Sequence, residues 1–144
     1  MRTPFQVVID CAEPSALAEF WATALHYQVQ EPPEGSASWE EALAEWGIPE
    51  SQWNERSAVV DPAGEGPRVF FQRVPESKQV KNRVHLDLNV GGGEGTDPPQ
   101  RKARIASEAD RLVAAGATVQ AEFDLPREYW LVLQDPEGNE FCIQ

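Results

Sequence analysis

The chain has 144 residues, 41% hydrophobic and 25% charged, the make-up of one globular domain with enough mass for a core. Its formal net charge is −12, from 24 acidic and 12 basic residues without a basic cluster, and such a field opposes nucleic acid and anionic membrane as partners. No apolar run approaches the ~20 residues that cross a bilayer, and Met1-Arg2-Thr3-Pro4 leads into a strand without a signal-type apolar segment, so the expected location is the cytoplasm.

The first predicted strand is Phe5 to Cys11, with Val7, Ile9 and Cys11 on one side and Gln6, Val8 and Asp10 on the other. Glu13-Pro14-Ser15 opens a helix, with Ser15 as its expected cap and Leu17, Ala18, Phe20, Trp21, Ala24 and Leu25 at helical spacing. His26 falls at the helix end, where a positive φ is expected, and Tyr27 to Gln30 is a short strand. Residues 31–54 break the rhythm. They hold a Pro/Gly-rich loop, a short helix from Ser38 to Trp46, and Trp39, Trp46 and Trp53, three of the five tryptophans. These rings serve either to anchor the insertion as a small apolar cluster or to wall a site for a flat organic ligand.

Ser57 to Val60 and Arg68 to Val74 are the next strands, separated by the turn Asp61-Pro62-Ala63-Gly64. Val84 to Val90 then alternates without exception, with Val84, Leu86, Leu88 and Val90 on one face and His85, Asp87 and Asn89 on the other. A His-x-Asp-x-Asn row reads as the wall of a polar cavity. Gly91-Gly92-Gly93 lacks the spacing of a nucleotide-binding loop and is a connection. Arg101 to Ala115 is the second long helix, with Ile105, Ala109, Leu112 and Val113 as its buried stripe and Gly116 beyond its end. Strands follow at 117–123, 129–134 and 140–144, with a loop at 124–128 and a turn at Asp135-Pro136-Glu137-Gly138-Asn139. The two cysteines, Cys11 and Cys142, lie inside strand-like runs, which suits buried thiols better than a disulfide framework.

The order strand, helix, three strands occurs twice. Residues 5–11 match 84–90, His26-Tyr27 matches Gly116-Ala117, and Val59-Val60-Asp61-Pro62-Ala63-Gly64 matches Leu133-Gln134-Asp135-Pro136-Glu137-Gly138. The expected class is α+β. Two βαβββ modules, 4–74 (with the insertion 31–54) and 83–144, form a single domain over 1–144 with a cupped, mostly antiparallel sheet and helices on its outer face. With Ala18-Glu19-Phe20-Trp21, His85-Leu86-Asp87-Leu88 and the closing 130–141 stretch, the pattern resembles the vicinal oxygen chelate superfamily. That superfamily includes glyoxalase I, extradiol dioxygenases, fosfomycin-resistance enzymes and bleomycin-binding proteins. The chain is most similar to its glyoxalase-like domain proteins.

That resemblance implies a metal site built from the first and last strand of each module, at Gln6, Gln72, His85 and Cys142. Its usual two carboxylates are missing here. The set therefore implies no tightly held cofactor, and at most a weakly bound zinc, nickel, iron or manganese ion. His85 and Asp87 remain as a base and its orienting partner, about 6–7 Å apart along one strand face. The expected ligand contacts are Gln6, Phe70, Gln72, Trp130 and Cys142, with Trp39, Trp46 and Trp53 from the insertion. Two readings follow: a lyase- or isomerase-type enzyme using His85 and Asp87, or a metal-independent protein that sequesters an aromatic compound, as bleomycin-binding relatives do. A metal-dependent glyoxalase- or dioxygenase-type enzyme is the third. The resemblance also implies a small organic ligand and a homodimer.

Overall fold

The computed structural model describes residues 1–144, which fold as two compact units, Met1–Ser77 and Lys78–Gln144. The first unit contains β1 (Val7–Cys11), α1 (Pro14–Leu25), β2 (Gln28–Val29), α2 (Trp39–Glu45), a 3-10 turn (Glu50–Gln52), β3 (Arg56–Val60) and β4 (Val69–Arg73). Its sheet has the order β1-β4-β3-β2, with β1 parallel to β4 and the other pairings antiparallel. α1 packs on β3 and β4. Leu17, Ala18, Phe20, Trp21 and Ala24 form its buried side, against Val59, Val69 and Phe71 of the sheet. Burial of each such large apolar side chain contributes about 1.5–3 kcal/mol.

Both ends of α1 are set by local chemistry. Pro14 stands in the first turn, where its preset φ fits and its missing N–H is not needed. Glu13, not Ser15, occupies the cap position, and its side chain makes no cap bond there. Asn54 does that work from the insertion. Its Oδ1 accepts from the Ser15 backbone N–H (3.0 Å) and hydroxyl (2.7 Å), and its Nδ2 donates to Glu13 (2.9 Å). At the other end His26 has φ 56° and ψ 35°, as the sequence predicts, and Tyr27 N–H donates to Ala22 O at 2.9 Å. In α2, Ser38 caps as expected, accepting from Glu41 N–H at 3.1 Å.

The second unit contains β5 (Asp87–Leu88), α3 (Pro98–Ala114), β6 (Thr118–Leu125), β7 (Glu128–Gln134) and β8 (Glu140–Ile143). Its sheet has the matching order β5-β8-β7-β6, again with one parallel pairing, β5 with β8. The class is therefore α+β with mixed sheets that are mostly antiparallel, and the doubled element order is real. α3 begins at Pro98, earlier than expected, because Asp97 accepts from Gln100 N–H and two prolines follow it. Ile105, Ala109 and Leu112 are buried, but Val113 is 47% exposed and leaves the predicted stripe. Gly116 follows the helix at φ 120°, and a Cβ there would meet Pro136 at 3.2 Å.

Two expectations about strand length need correction. The segment 84–90 pairs as a ladder only at Asp87–Leu88, although Cys142 N–H to Leu86 O (2.9 Å) and Gln144 N–H to Leu88 O (3.0 Å) extend the bonding. The register sets Asp87 against Cys142. Val84 thus lies beyond the start of β8 and is 81% exposed. The loop predicted at 124–128 is instead a tight hairpin, since β6 and β7 pair as far as Leu125 with Glu128.

Candidate functional site

The two Asp-Pro turns allow the units to be aligned strand by strand. Val59 pairs with Val69 and Ala58 with Phe70, while Leu133 pairs with Phe141 and Val132 with Cys142. The counterpart of Cys142 is therefore Phe70, and the counterpart of Gln72 is Gln144. A shared hydrogen bond supports this register. Gln72 Nε2 donates to Asp10 Oδ1 at 2.7 Å, and Gln144 Nε2 donates to Asn89 Oδ1 at 3.0 Å. The match of Gln72 to Cys142 expected from the sequence is two residues off, because the turn before β4 is longer than the one before β8 by two residues. Gln6 still corresponds to His85, and Val8 corresponds to Asp87.

In the second unit, a cavity of about 500 Å³ is lined by His85, Asp87, Cys142, Arg101, Arg127 and Trp130, among others. His85 Nε2 lies 3.2 Å from Asp87 Oδ1, and both side chains are partly exposed. Cys142 stands beside them, 8% exposed. Burial first, then the charge of Asp87 and a hydrogen bond to it, push the thiol up to about 11, while Lys81 pulls the other way. The thiol is thus a neutral donor to Asp87 near neutral pH. It is not a poised nucleophile. Trp130 is stacked on Phe123, with ring centroids 4.7 Å apart and planes at 10°. Beside it burial, then Glu122, raise the Tyr129 hydroxyl to about 12, and its O–H donates to Glu122 at 2.8 Å.

The first unit has its own cavity, about 840 Å³, lined by Trp39, Trp46, Trp53, Arg68 and Phe70. Trp39 Nε1 donates to Gln30 O (2.7 Å), Trp53 Nε1 donates to Ile48 O (2.9 Å), and Trp39 meets Trp46 edge-on at 6.4 Å. Gln6 accepts from Arg68, and Gln72 is taken up by Asp10. The residues singled out from the sequence therefore fall into two groups. His85, Asp87, Cys142 and Trp130 share one cavity, while Phe70 and the three insertion tryptophans share the other. Arg68, Arg101 and Arg127 went unmarked, although Arg68 alternates with Phe70 along one strand face and could have been read from that spacing.

The carboxylate-rich metal centre implied by the resemblance does not fit these residues. Phe70 offers no donor where a carboxylate is expected, and Cys142 is a thiol in the place of the other carboxylate. What remains is a softer set. His85, Asp87 and Cys142 each supply one ligand atom, all within 4.8 Å of one another.

The doubled βαβββ order with matched Asp-Pro turns defines the vicinal oxygen chelate fold. The sequence profile of the glyoxalase-like domain matches residues 6–144, and the chain belongs to that family. No curated protein matches it in sequence. Solved structures with the same fold include a glyoxalase/bleomycin resistance/dioxygenase family enzyme from Burkholderia phytofirmans PsJN, at 18% identity, TM-score 0.61, covering 96% of this chain and 94% of that one. The hypothetical protein SA1046 from S. aureus has 13% identity, TM-score 0.60, and coverage of 99% and 96%. A mutant of the fosfomycin resistance protein FosX from Listeria monocytogenes, complexed with Mn(II) and 1S,2S-dihydroxypropylphosphonic acid, has 8% identity, TM-score 0.62, and coverage of 100% and 90%. At these identities the likeness is one of fold.

Proposed function

We propose that the chain binds a small organic anion in the cavity of its second unit and moves a proton on it. His85 acts as the base, Asp87 as the group that orients it, and no tightly held metal takes part. The observation that carries this reading is the 3.2 Å pair between His85 Nε2 and Asp87 Oδ1 on the cavity wall. It sets the imidazole beside a carboxylate, an arrangement suited to taking a proton from the carbon next to a carbonyl. Arg101 and Arg127 line the same cavity and supply positive charge in a chain of net charge −12. The reaction class is that of a lyase or isomerase. A cytoplasmic homodimer belongs to the same reading.

The test is deuterium exchange at C3 of 2-oxobutyrate and related oxo acids, followed by NMR. Exchange above the buffer rate, abolished in His85→Ala with ligand affinity largely kept, supports proton transfer. Affinity without exchange in either protein points instead to a binding protein. If His85→Ala altered neither exchange nor affinity, the site assignment would be wrong.

A further inference from the structure

The cavity of the first unit is a site of another kind, built around Arg68. Its guanidinium is fixed on three sides. Nε donates to Gln30 Oε1 at 2.8 Å, Nη1 donates to Gln6 Oε1 at 2.9 Å, and the group lies 5.1 Å from the centroid of the Phe70 ring. The Nη2 donors have no acceptor in the chain. Gln30 ties this cation to the aromatic wall, since its backbone carbonyl holds the Trp39 indole N–H at 2.7 Å. One residue thus sets both a flat ring and a charged fork before any ligand arrives.

The charges around the cavity decide the sign of the ligand. Glu19, Glu40, Glu55 and Arg56 also line it, but all four are exposed, while Arg68 is half-buried. A carboxylate reaching Arg68 meets an oriented, partly desolvated guanidinium. A cation finds the Phe70 face already taken by Arg68, and what is left to it is the tryptophan faces and exposed, hydrated carboxylates. Trp46, 58% exposed, is a large apolar ring left to water. The volume, about 840 Å³, lies in the range of small-molecule sites.

We infer that this cavity is a binding site for planar aromatic carboxylates, with Arg68 holding the anion and the insertion tryptophans the ring system. It is independent of the proton-transfer reading above, whose residues lie in the other unit. Calorimetric titration of the full chain with 2-naphthoate, 2-naphthylmethanol and 2-naphthylmethylammonium tests it. The expected order is naphthoate tightest, with one bound per chain. Arg68→Gln weakens naphthoate about tenfold or more, as for loss of a charge-assisted pair, and leaves the alcohol unchanged. Arg68→Lys, which keeps the charge and loses the fork, falls between, and His85→Ala and Asp87→Asn bind naphthoate as the native chain does. A preference for the ammonium compound overturns the inference. So does equal naphthoate binding by Arg68→Gln and the native chain, or a loss seen in Asp87→Asn.

Discussion

Asp87 holds the Cys142 thiol in its protonated form, so replacing it with asparagine should release a measurable fraction of thiolate. The thiol is raised from 9.0 to about 11, with burial the largest cause and the charge and hydrogen bond of Asp87 next. That rise corresponds to roughly 3 kcal/mol between the two protonation states. Asp87 is nearly half exposed, and its screened charge on a sulfur within 4.8 Å accounts for on the order of 1 kcal/mol of it. Asp87→Asn should therefore lower the thiol by about one pH unit and raise its thiolate fraction at pH 8 about tenfold. Intrinsic nucleophilicity falls as the thiol becomes more acidic, so the rate with a disulfide reagent should rise only about three- to fourfold. The assay is the pH–rate profile of that reaction in a Cys11→Ser background, which leaves Cys142 as the single thiol. Lys81→Ala is the opposing control, because Lys81 favours the thiolate and its loss should slow the reaction. An unchanged or slower rate in Asp87→Asn would refute the arrangement in which the carboxylate accepts from Cys142.

Other outcomes follow from the same structure. Glu140 is drawn down to about 2, chiefly by the Asn82 N–H against the cost of burial and then by Lys78. A depressed acid stabilises above its unfolded value and loses that contribution as pH falls from about 4.5 towards 2, so Glu140→Gln should cost about 2 kcal/mol at pH 7 and little at pH 2, by denaturant titration at both. Leu112→Ala, at a fully buried position, should cost about 3 kcal/mol, whereas Val113→Ala next to it should cost under about 0.5 kcal/mol. Equal costs would reverse the orientation of α3. Zinc binding, measured by competition with a chromophoric chelator, should tighten about tenfold per pH unit between about pH 7 and 9, because the Cys142 proton must leave. A pH-independent affinity would show that the thiol is not a ligand.

The doubled fold was readable because its signals are local: alternation along the strands, helical spacing of Leu17, Phe20, Trp21 and Ala24, and two Asp-Pro turns with the same side-chain bonds. Asp61 accepts from Ala63 and Glu65, and Asp135 from Glu137 and Asn139. What the sequence hid depends on distant partners. Asn54 acts at the start of α1 from 39 residues away, and no local pattern marks it. Val84 alternates perfectly yet is exposed, because alternation reports a strand's two faces and not where the neighbouring strand begins. Gln72 was misplaced for the same reason, since register is set by pairing and not by counting along an unequal turn. His85 and Asp87 were legible as a pair, while the burial that keeps Cys142 protonated belongs to β8 and its surroundings.

The corrected register makes the two units a comparison within one chain. On the same sheet face, the pair opposite each other in β5 and β8 is Asp87 and Cys142, and the corresponding pair in β1 and β4 is Val8 and Phe70. One step further, His85 corresponds to Gln6, which does not ionise near neutral pH and accepts from Arg68. His85, Asp87 and Cys142 thus all have neutral counterparts in the first unit. The first unit has aromatic surface and a fixed cation in their place, a combination suited to holding a ligand and not to altering one. On the two proposals above, chemistry and ring recognition are divided between the repeats. A substitution at His85 should leave the aromatic cavity intact, and one at Arg68 should leave proton transfer intact.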